Sequence, residues 1–189
     1  NIDVTSADEI GRLGGSLKHM VEAVADREEK IKRLAFEDLL TGLPNRALFV
    51  RELEQLRLLS RRGEMALSVV FLEVDRFKQI NETLGYEAGD QVLKYIAAKL
   101  PECVRDSDVV SCFGGDEFGI LLSMNTPEMI NTVTSRIEST FSRPYFVGEQ
   151  PIDIGFSIGI AHYPDHAQDA ESLLRKADVA LQKAKRTRI

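Results

Sequence analysis

The sequence predicts an α+β fold, in which a mostly antiparallel sheet of about five strands is flanked by helices and preceded by a coiled-coil helix. Short β-prone runs at 66–74 and 108–122 alternate with amphipathic helical stretches. The second run contains a Gly-Gly turn, which is typical of a β-hairpin and therefore of antiparallel pairing. An apolar stripe at spacings of three and four residues runs through the first 37 residues, which predicts a separate long helix.

Length and composition indicate one globular domain with an extra element. The chain has 189 residues, 43% of them hydrophobic, and a net charge of −6. An acidic balance does not favour binding to nucleic acid polymers. Cys103 and Cys112 lack the spacing of a metal site, and a reducing cytoplasm fits them better than a disulfide. The longest apolar run, 65–72, is too short to span a bilayer.

The N-terminal stretch 6–37 is predicted to form one helix that pairs with a second copy. Ser6 and Glu9 have the spacing of a capping box. The heptad positions are held by Ile10, Leu13, Leu17, Met20, Val24, Ile31 and Leu34, with one interruption at Arg27. This stripe favours a parallel coiled coil in a homodimer. Packing of the helix on its own domain is the alternative.

The stretch 8–13 resembles the end of a HAMP linker, the signal-relay module that follows a transmembrane helix. We therefore divide the chain into a signalling helix, 1–37, and a folded domain, 38–189. We expect the sequence to be a piece of a longer protein that is anchored in the inner membrane by a preceding segment. The folded domain would then lie in the cytoplasm.

The remaining elements follow from periodicity and turn residues. Asn45 is expected to cap the first helix of the folded domain, and Asp169 the last one. The predicted helices are 46–60, 77–84, 88–100, 126–141 and 169–186, and the predicted strands are 66–74, the hairpin 108–122, 144–147 and 151–161.

Acidic residues follow the glycines of the hairpin. Gly114 and Gly115 let the backbone approach a ligand closely, since no Cβ stands in the way. If strand 66–74 lies beside the hairpin, Glu73 and Asp116 meet at the edge of the sheet. Carboxylates near a basic residue suit Mg²⁺, which takes hard oxygen ligands. A solvated turn with two surface acids is the alternative.

The five residues Gly114–Phe118 spell Gly-Gly-Asp-Glu-Phe, and the chain resembles the GGDEF (diguanylate cyclase) domains of bacterial signalling. Further matches lie at 38–46, 77–81, 89–90, 157–161 and 177–181, so that the resemblance covers roughly 36–188. It implies an architecture similar to nucleotidyl cyclases and polymerase palms. It also implies condensation of two GTP into cyclic di-GMP with release of pyrophosphate, by a dimer with product inhibition.

The resemblance also implies roles for individual residues. The metal, Mg²⁺ or Mn²⁺, would be held by Glu73, the carbonyl of Val74 and Asp116. The catalytic residues would be Asp116, Glu117 and Lys78, and the substrate would be bound by Asn81, Asp90, Gly114, Gly115 and Lys185. Asn81 and Asp90 would read guanine, and the two lysines would bind phosphate. Arg105 and Asp108 match the family's inhibitory site for cyclic di-GMP.

Each of these residues also has an ordinary structural interpretation. Asp90 could cap a helix, Lys78 could be a solvated surface residue, and Lys185 could belong to a basic last helical turn. Arg105 and Asp108 could form a surface ion pair.

Some positions depart from the family pattern. Glu73 stands where the family usually has Asp, Cys112 where it has Arg, and Gln182 where it has Tyr. These departures support a second hypothesis, a weak or inactive module that binds GTP or cyclic di-GMP and regulates an attached domain. A phosphodiesterase (EAL) domain after Ile189 would be one such domain. A purely structural dimerisation unit is the third hypothesis.

Overall fold

A computed structural model describes residues 6–60, 66–123 and 126–187. The chain divides into two compact units, with the boundary between Ala35 and Phe36. The described part of the first unit lies in the helix α1 (Ser6–Phe36), whose last residue already belongs to the second unit. The side chains of residues 6–16, which include the predicted capping box, lie outside the described part. The described heptad residues Leu17, Met20, Val24, Ile31 and Leu34 are 54–67% exposed. The described part of the apolar stripe is therefore exposed, and its pairing with a second copy stays a prediction.

The second unit alternates helices and strands. Its helices are α2 (Arg46–Ser60), α3 (Phe77–Leu84), α4 (Tyr86–Lys99), α5 (Pro127–Thr140) and α6 (Ala170–Thr187), with a short 3₁₀ helix at Leu100–Cys103. Its strands are β1 (Leu67–Val74), β2 (Val109–Gly114), β3 (Glu117–Ser123), β4 (Tyr145–Val147), β5 (Gln150–Ile152) and β6 (Phe156–Tyr163). The predicted mixed fold is confirmed. Among the described residues, none of the helices combines the length and hydropathy that a bilayer-spanning segment needs.

Two helix starts are fixed by the predicted caps. The Asn45 Oδ1 atom accepts hydrogen bonds from the amides of Ala47 and Leu48, at 2.9 and 3.1 Å. The Asp169 Oδ1 atom accepts one from the Ser172 amide at 2.8 Å. These bonds satisfy amides that have no partner inside the helix.

In the described part of the chain, the main sheet has four strands in the order β2-β3-β1-β6, and every neighbouring pair is antiparallel. A separate two-stranded sheet joins β4 to β5. The prediction of about five strands in one sheet is corrected accordingly. The prediction of a single strand at 151–161 was wrong. The strands β5 and β6 pair with different partners, and they are separated by residues 153–155.

Helices cover both faces of the main sheet. Alternate residues of β1 point to opposite faces, so Val70 and Leu72 join one buried cluster while Val69 and Phe71 join the other. The first cluster is completed by residues of α4 and α5, and the second by residues of α2 and α6. The result is a three-layer arrangement with β1 at its centre.

The contact between α6 and β6 depends on a glycine. A Cβ at Gly159 would overlap the carbonyl oxygen of Ala177 and the amide nitrogen of Leu181. Both obstacles belong to the backbone of α6, which cannot rotate away. The helix can therefore pack this closely on the sheet only because position 159 has no side chain.

We expect Gly159→Ala to lower the free energy of unfolding by about 3 kcal/mol, because the added methyl group forces α6 away from the sheet. Gly119→Ala is the matched control. The three atoms nearest to a Cβ at Gly119 all belong to the ring of Phe113, a side chain that can shift, so we expect a smaller loss. Urea denaturation of both variants checks the prediction. A loss for Gly159→Ala no larger than that for Gly119→Ala would contradict it.

Candidate active site

The candidate site lies where β1 ends. In the antiparallel register, Glu73 is opposite Glu117 of β3 on one side and Ser157 of β6 on the other. The amide of Val74 donates a hydrogen bond to the Asp116 carbonyl oxygen at 3.0 Å. The pairing of β1 with the hairpin strand thus brings Glu73 and both hairpin acids to the same edge of the sheet.

The hairpin turn requires its two glycines. Gly114 has φ 104° and Gly115 has φ 58°, and both values lie in the left-handed region that favours glycine. No atom lies within 4 Å of a Cβ built at either position. The turn is therefore open enough for a ligand to approach its backbone.

Lys185 brings a positive charge to the edge of the sheet where the acids lie. Lys185, in the last turn of α6, places its Nζ atom 2.5 Å from the Oε1 atom of Glu73. The Glu73 side chain is only 17% exposed, whereas that of Lys185 is 39% exposed. The hydrogen bond that Lys185 donates to the Glu73 carboxylate raises the pKa of Lys185. Lys185 therefore stays protonated and offsets part of the negative charge at the edge.

Negative charge at the edge is only partly compensated. Burial, and then the charge of Glu73, raise the pKa of Asp116, while Lys185 lowers it. Partial burial, followed by the charges of Glu73 and Asp116, raises the pKa of Glu117, against the opposite effect of Arg46. Both hairpin acids therefore hold a proton more tightly than free carboxylic acids do, and a bound cation would favour their ionised forms.

The chemistry of these groups fits a hard divalent cation. Two carboxylates, Glu73 and Asp116, and the backbone carbonyl of Val74 provide oxygen donors at one edge. Within the described ranges, no group of three or more His, Cys, Asp or Glu side chains is arranged for metal binding. A sparse donor set of this kind suits Mg²⁺ or Mn²⁺ rather than a metal held by protein ligands alone, because Mg²⁺ usually keeps waters and substrate phosphates as ligands.

A large cavity opens beside Glu73. Its volume is about 1150 Å³, and its lining includes Glu73, Val74 and Lys185. From there it extends between Ile80 of α3 and Ile152 of β5. The lining also includes Asp75, Arg76, Gly155 and Ser157. A cavity of this size can hold a nucleotide.

The predicted guanine-reading residues lie outside that lining, between α3 and α4. The Oδ1 atom of Asn81 is buried without a hydrogen-bond partner. A Cβ at Gly89 would overlap this atom, so the glycine makes room for the amide. Asp90 follows Gly89 and is exposed. An unpaired buried amide oxygen costs about 1–3 kcal/mol, which a ligand with a hydrogen-bond donor would offset.

Lys78 is not brought to the acidic edge. Its side chain is 88% exposed, and its Nζ atom lies 3.6 Å from the Oε1 atom of Glu82, one turn later on α3. The structure therefore shows the surface arrangement for Lys78, whereas Lys185 is the predicted lysine that contacts an acid of the site.

Arg105 and Asp108 lie on the loop before β2. The Asp108 carboxylate accepts hydrogen bonds from the backbone amides of Arg105 and Ser123, at 3.0 and 3.1 Å. Both residues line a cavity of about 110 Å³ together with Arg136 of α5. The Asp108 side chain therefore holds the loop by accepting hydrogen bonds from backbone amides. Arg136 adds a second guanidinium group to this cavity, which sequence reasoning missed.

The replacement of arginine by Cys112 is accommodated locally. Cys112 is 2% exposed, and burial raises the pKa of its thiol. The nearby Asp38 carboxylate accepts hydrogen bonds from Thr41, at 2.6 Å from the hydroxyl and 2.9 Å from the amide. Thr41 therefore satisfies the Asp38 carboxylate beside Cys112.

Asp75 and Ser157 are further residues that sequence reasoning did not assign to the site. The Ser157 hydroxyl donates a hydrogen bond to Asp75 Oδ1 at 2.7 Å. Asp75 had a signal, because it follows Glu73 by two residues and therefore faces the same side of the sheet. Ser157 had no signal of its own, because its role depends on the pairing of β6 with β1.

Comparison with known proteins connects this site to a family. A sequence model of the family described as "Diguanylate cyclase, GGDEF domain" matches residues 35–188. The chain is 36% identical over 182 residues to the diguanylate cyclase TpbB of Pseudomonas aeruginosa, covering 95% of this chain and 42% of TpbB. It is also 36% identical over 159 residues to the cyclic di-GMP phosphodiesterase NbdA of Pseudomonas aeruginosa, covering 82% of this chain and 20% of NbdA. The chain thus spans less than half the length of these curated relatives.

Solved structures share the fold. The coiled coil and GGDEF domain of DgcB from Caulobacter crescentus, in complex with c-di-GMP, matches with a TM-score of 0.82 at 28% identity, covering 94% of each chain. The GGDEF domain of TpbB from Pseudomonas aeruginosa matches with a TM-score of 0.77 at 37% identity, covering 80% of this chain and 89% of that chain.

We expect Asp116→Asn to stabilise the metal-free protein at neutral pH by about 0.5–2 kcal/mol. Because the pKa of Asp116 is raised in the folded state, the folded state binds this proton more tightly than the unfolded state. The carboxylate therefore reduces stability as the pH rises from the ordinary carboxyl pKa through the raised one. Urea denaturation with a chelator, at pH 4 and pH 7, checks the prediction. A gain that is absent at pH 7, or larger at pH 4, would contradict it.

Proposed function

This chain belongs to the family of diguanylate cyclase GGDEF domains, and on that premise we propose that it condenses two GTP into cyclic di-GMP. The observation that carries the proposal is the meeting of Glu73, Asp116 and Lys185 at one edge of the sheet. Oxygen donors for a metal and a cation for phosphate therefore lie side by side. Phosphoryl and nucleotidyl transfer depend mainly on such positioning and charge stabilisation.

In each of the two steps, a ribose 3′-oxygen attacks the α-phosphorus of the other GTP. A P–O3′ bond forms, the bond between the α-phosphorus and the bridging oxygen breaks, and pyrophosphate leaves. Glu73, Asp116 and the Val74 carbonyl would hold Mg²⁺ or Mn²⁺, which lowers the pKa of the hydroxyl and neutralises developing charge when bound. Asp116 or Glu117 would accept the proton. Their raised pKa values bring them closer to neutrality, where a general base is most effective.

Substrate binding divides between the two parts of the site. Asn81 would donate to and accept from guanine through its side-chain amide, whose oxygen is unpaired, and Asp90 would accept from the N1–H and 2-amino groups. Lys185 would bind the phosphates, for which it must break its hydrogen bond to Glu73 and donate to a phosphate oxygen instead. Lys78 would reach the phosphates only after leaving Glu82. Gly114 and Gly115 would let the hairpin backbone approach the nucleotide.

Dimerisation and product inhibition belong to the same proposal. Each domain would hold one GTP, so two domains must face each other. The exposed stripe of α1 would pair two copies as a coiled coil. Cyclic di-GMP would bind at Arg105 and Asp108. A HAMP-like relay and a membrane anchor ahead of α1 would link the domain to its input.

A second function is favoured by the contact between Glu73 and Lys185. The Asp that the family usually has at position 73 would be shorter by one methylene. Here the longer side chain of Glu73 is already paired with the ammonium group of Lys185. A weak or inactive module could still bind GTP or cyclic di-GMP and regulate an attached domain. The similarity to NbdA, a protein named as a phosphodiesterase, supports this alternative.

The test is detection of cyclic di-GMP by mass spectrometry, from GTP and Mg²⁺, after bound product has been removed from the protein. We expect multiple turnovers from the wild-type protein and a loss of at least about a hundredfold in Asp116→Asn. Glu73→Asp should raise turnover by about tenfold or more, since a misplacement of about 1 Å can cost a hundredfold. Glu87→Asp, an exposed position on α4, is the matched control.

The result that would overturn the cyclase proposal is the absence of product from both the wild type and Glu73→Asp. Saturable GTP binding by calorimetry in that case would establish the nucleotide-binding module instead. A protein that binds neither GTP nor cyclic di-GMP would be a structural dimerisation unit.

A further inference from the structure

The turn that leaves β1 has a strained backbone. Arg76 has φ 58° and ψ 23°, and it is the one non-glycine residue with positive φ in the part of the chain that the structure describes. The left-handed region costs an L-residue about 1–2 kcal/mol. The helix α3 begins at the next residue without a side-chain cap. Other contacts must therefore hold this turn in place.

Those contacts converge on Asp75. Its amide donates to the carbonyl oxygen of Gly155 at 2.9 Å, and its Oδ1 atom accepts from the Ser157 hydroxyl at 2.7 Å. A Cβ at Gly155 would lie 3.1 Å from Asp75 Oδ2, so the glycine leaves room for the carboxylate. Ser157 is 2% exposed. The end of β1 is thus tied to β6 by one backbone bond and one buried side-chain bond.

This tie fixes the direction of the Val74 carbonyl. The Val74 carbonyl and the Asp75 amide belong to one peptide unit, which is planar, so the C=O and N–H groups point in opposite directions. Because the Asp75 N–H points to Gly155, the Val74 C=O must point away from β6. The other side of Val74 is fixed as well, since its amide donates to Asp116.

We propose that Asp75 and Ser157 are positioning residues, which aim the Val74 carbonyl at the metal and hold the turn that starts α3. The inference rests on the proposed function, because it assigns a purpose to the Val74 carbonyl as a metal ligand. Asp75 acts through its hydrogen bonds and not as a ligand. Contacts behind a metal ligand typically change metal affinity by 10- to 100-fold when they are removed.

The chain offers a matched control for Ser157. Ser68 is also a fully buried serine, it lies in β1 opposite His162 of β6, and its hydroxyl is 2.5 Å from His162 Nδ1. It sits at the other end of the same strand pair, far from the acids in the register. Ser68→Ala therefore removes an equivalent hydroxyl without disturbing the end of β1.

The experiment measures Mn²⁺ binding by electron paramagnetic resonance, with a non-hydrolysable GTP analogue present, so that turnover is not needed. We expect Ser157→Ala and Asp75→Ala to bind Mn²⁺ about tenfold more weakly than the wild type, and Ser68→Ala to bind it normally. Asp75→Asn should stay within about threefold of the wild type, because an amide can still pair with the serine hydroxyl. In the metal-free protein, amide exchange at Asp75 should speed up in Ser157→Ala and stay unchanged in Ser68→Ala.

Three results would overturn the inference. Wild-type Mn²⁺ affinity in Ser157→Ala would show that the hydroxyl does not position a ligand. Binding by Asp75→Asn as weak as by Asp75→Ala would show that the charge of Asp75 acts on the metal directly. A wild-type protein that binds no Mn²⁺ would overturn the proposed function and this inference with it, whereas the first two results leave the proposed function standing.

Discussion

The site depends on one constraint, the antiparallel pairing of β1 with β3 on one side and with β6 on the other. β1 is buried along nearly its whole length, and its alternate residues fill two different cores. A slip of one residue in either ladder would exchange those faces, so the cores fix the register. That register alone places Glu73 between Glu117 and Ser157. The arrangement of acids at the edge is therefore a consequence of hydrophobic packing further along the same strand.

The polar and charged groups at this edge are less completely paired than the residues of the two hydrophobic cores are packed. Burial and the charge of Glu73 raise the pKa of Asp116 and of Glu117, and at Asp116 the charge of Lys185 compensates only part of that effect. Asn81 adds a buried amide oxygen without a partner, and Arg76 adds a strained backbone. Natural proteins concentrate such violations where a ligand resolves them. Here all of them lie at or next to β1, α3 and the hairpin, and a bound metal and nucleotide would address the first two.

Local patterns predicted most of the fold, and contacts between distant residues explain what they missed. The hairpin, β1 and the caps at Asn45 and Asp169 follow from neighbouring residues, so the sequence was sufficient. The strand predicted at 151–161 failed because periodicity does not reveal a change of partner. The Asp75–Ser157 bond joins residues 82 apart, and the Glu73–Lys185 pair joins residues 112 apart. For Lys185 the family resemblance named the residue, but only the structure showed that its partner is an acid of the site.

The ion pair between Glu73 and Lys185 bears on the departure at position 73, where this chain has Glu and the family pattern has Asp. The Glu73 carboxylate reaches Lys185, and the ion pair stabilises a largely buried charge that would otherwise face two more acids. Under the proposed function the same contact would compete with catalysis, because the metal would need the carboxylate and the triphosphate would need the lysine. Binding of a metal–nucleotide complex would satisfy both partners at once, whereas either ligand alone would leave one charge unpaired. The pair should therefore make the binding of metal and nucleotide cooperative, whether the domain completes the reaction or only senses the nucleotide.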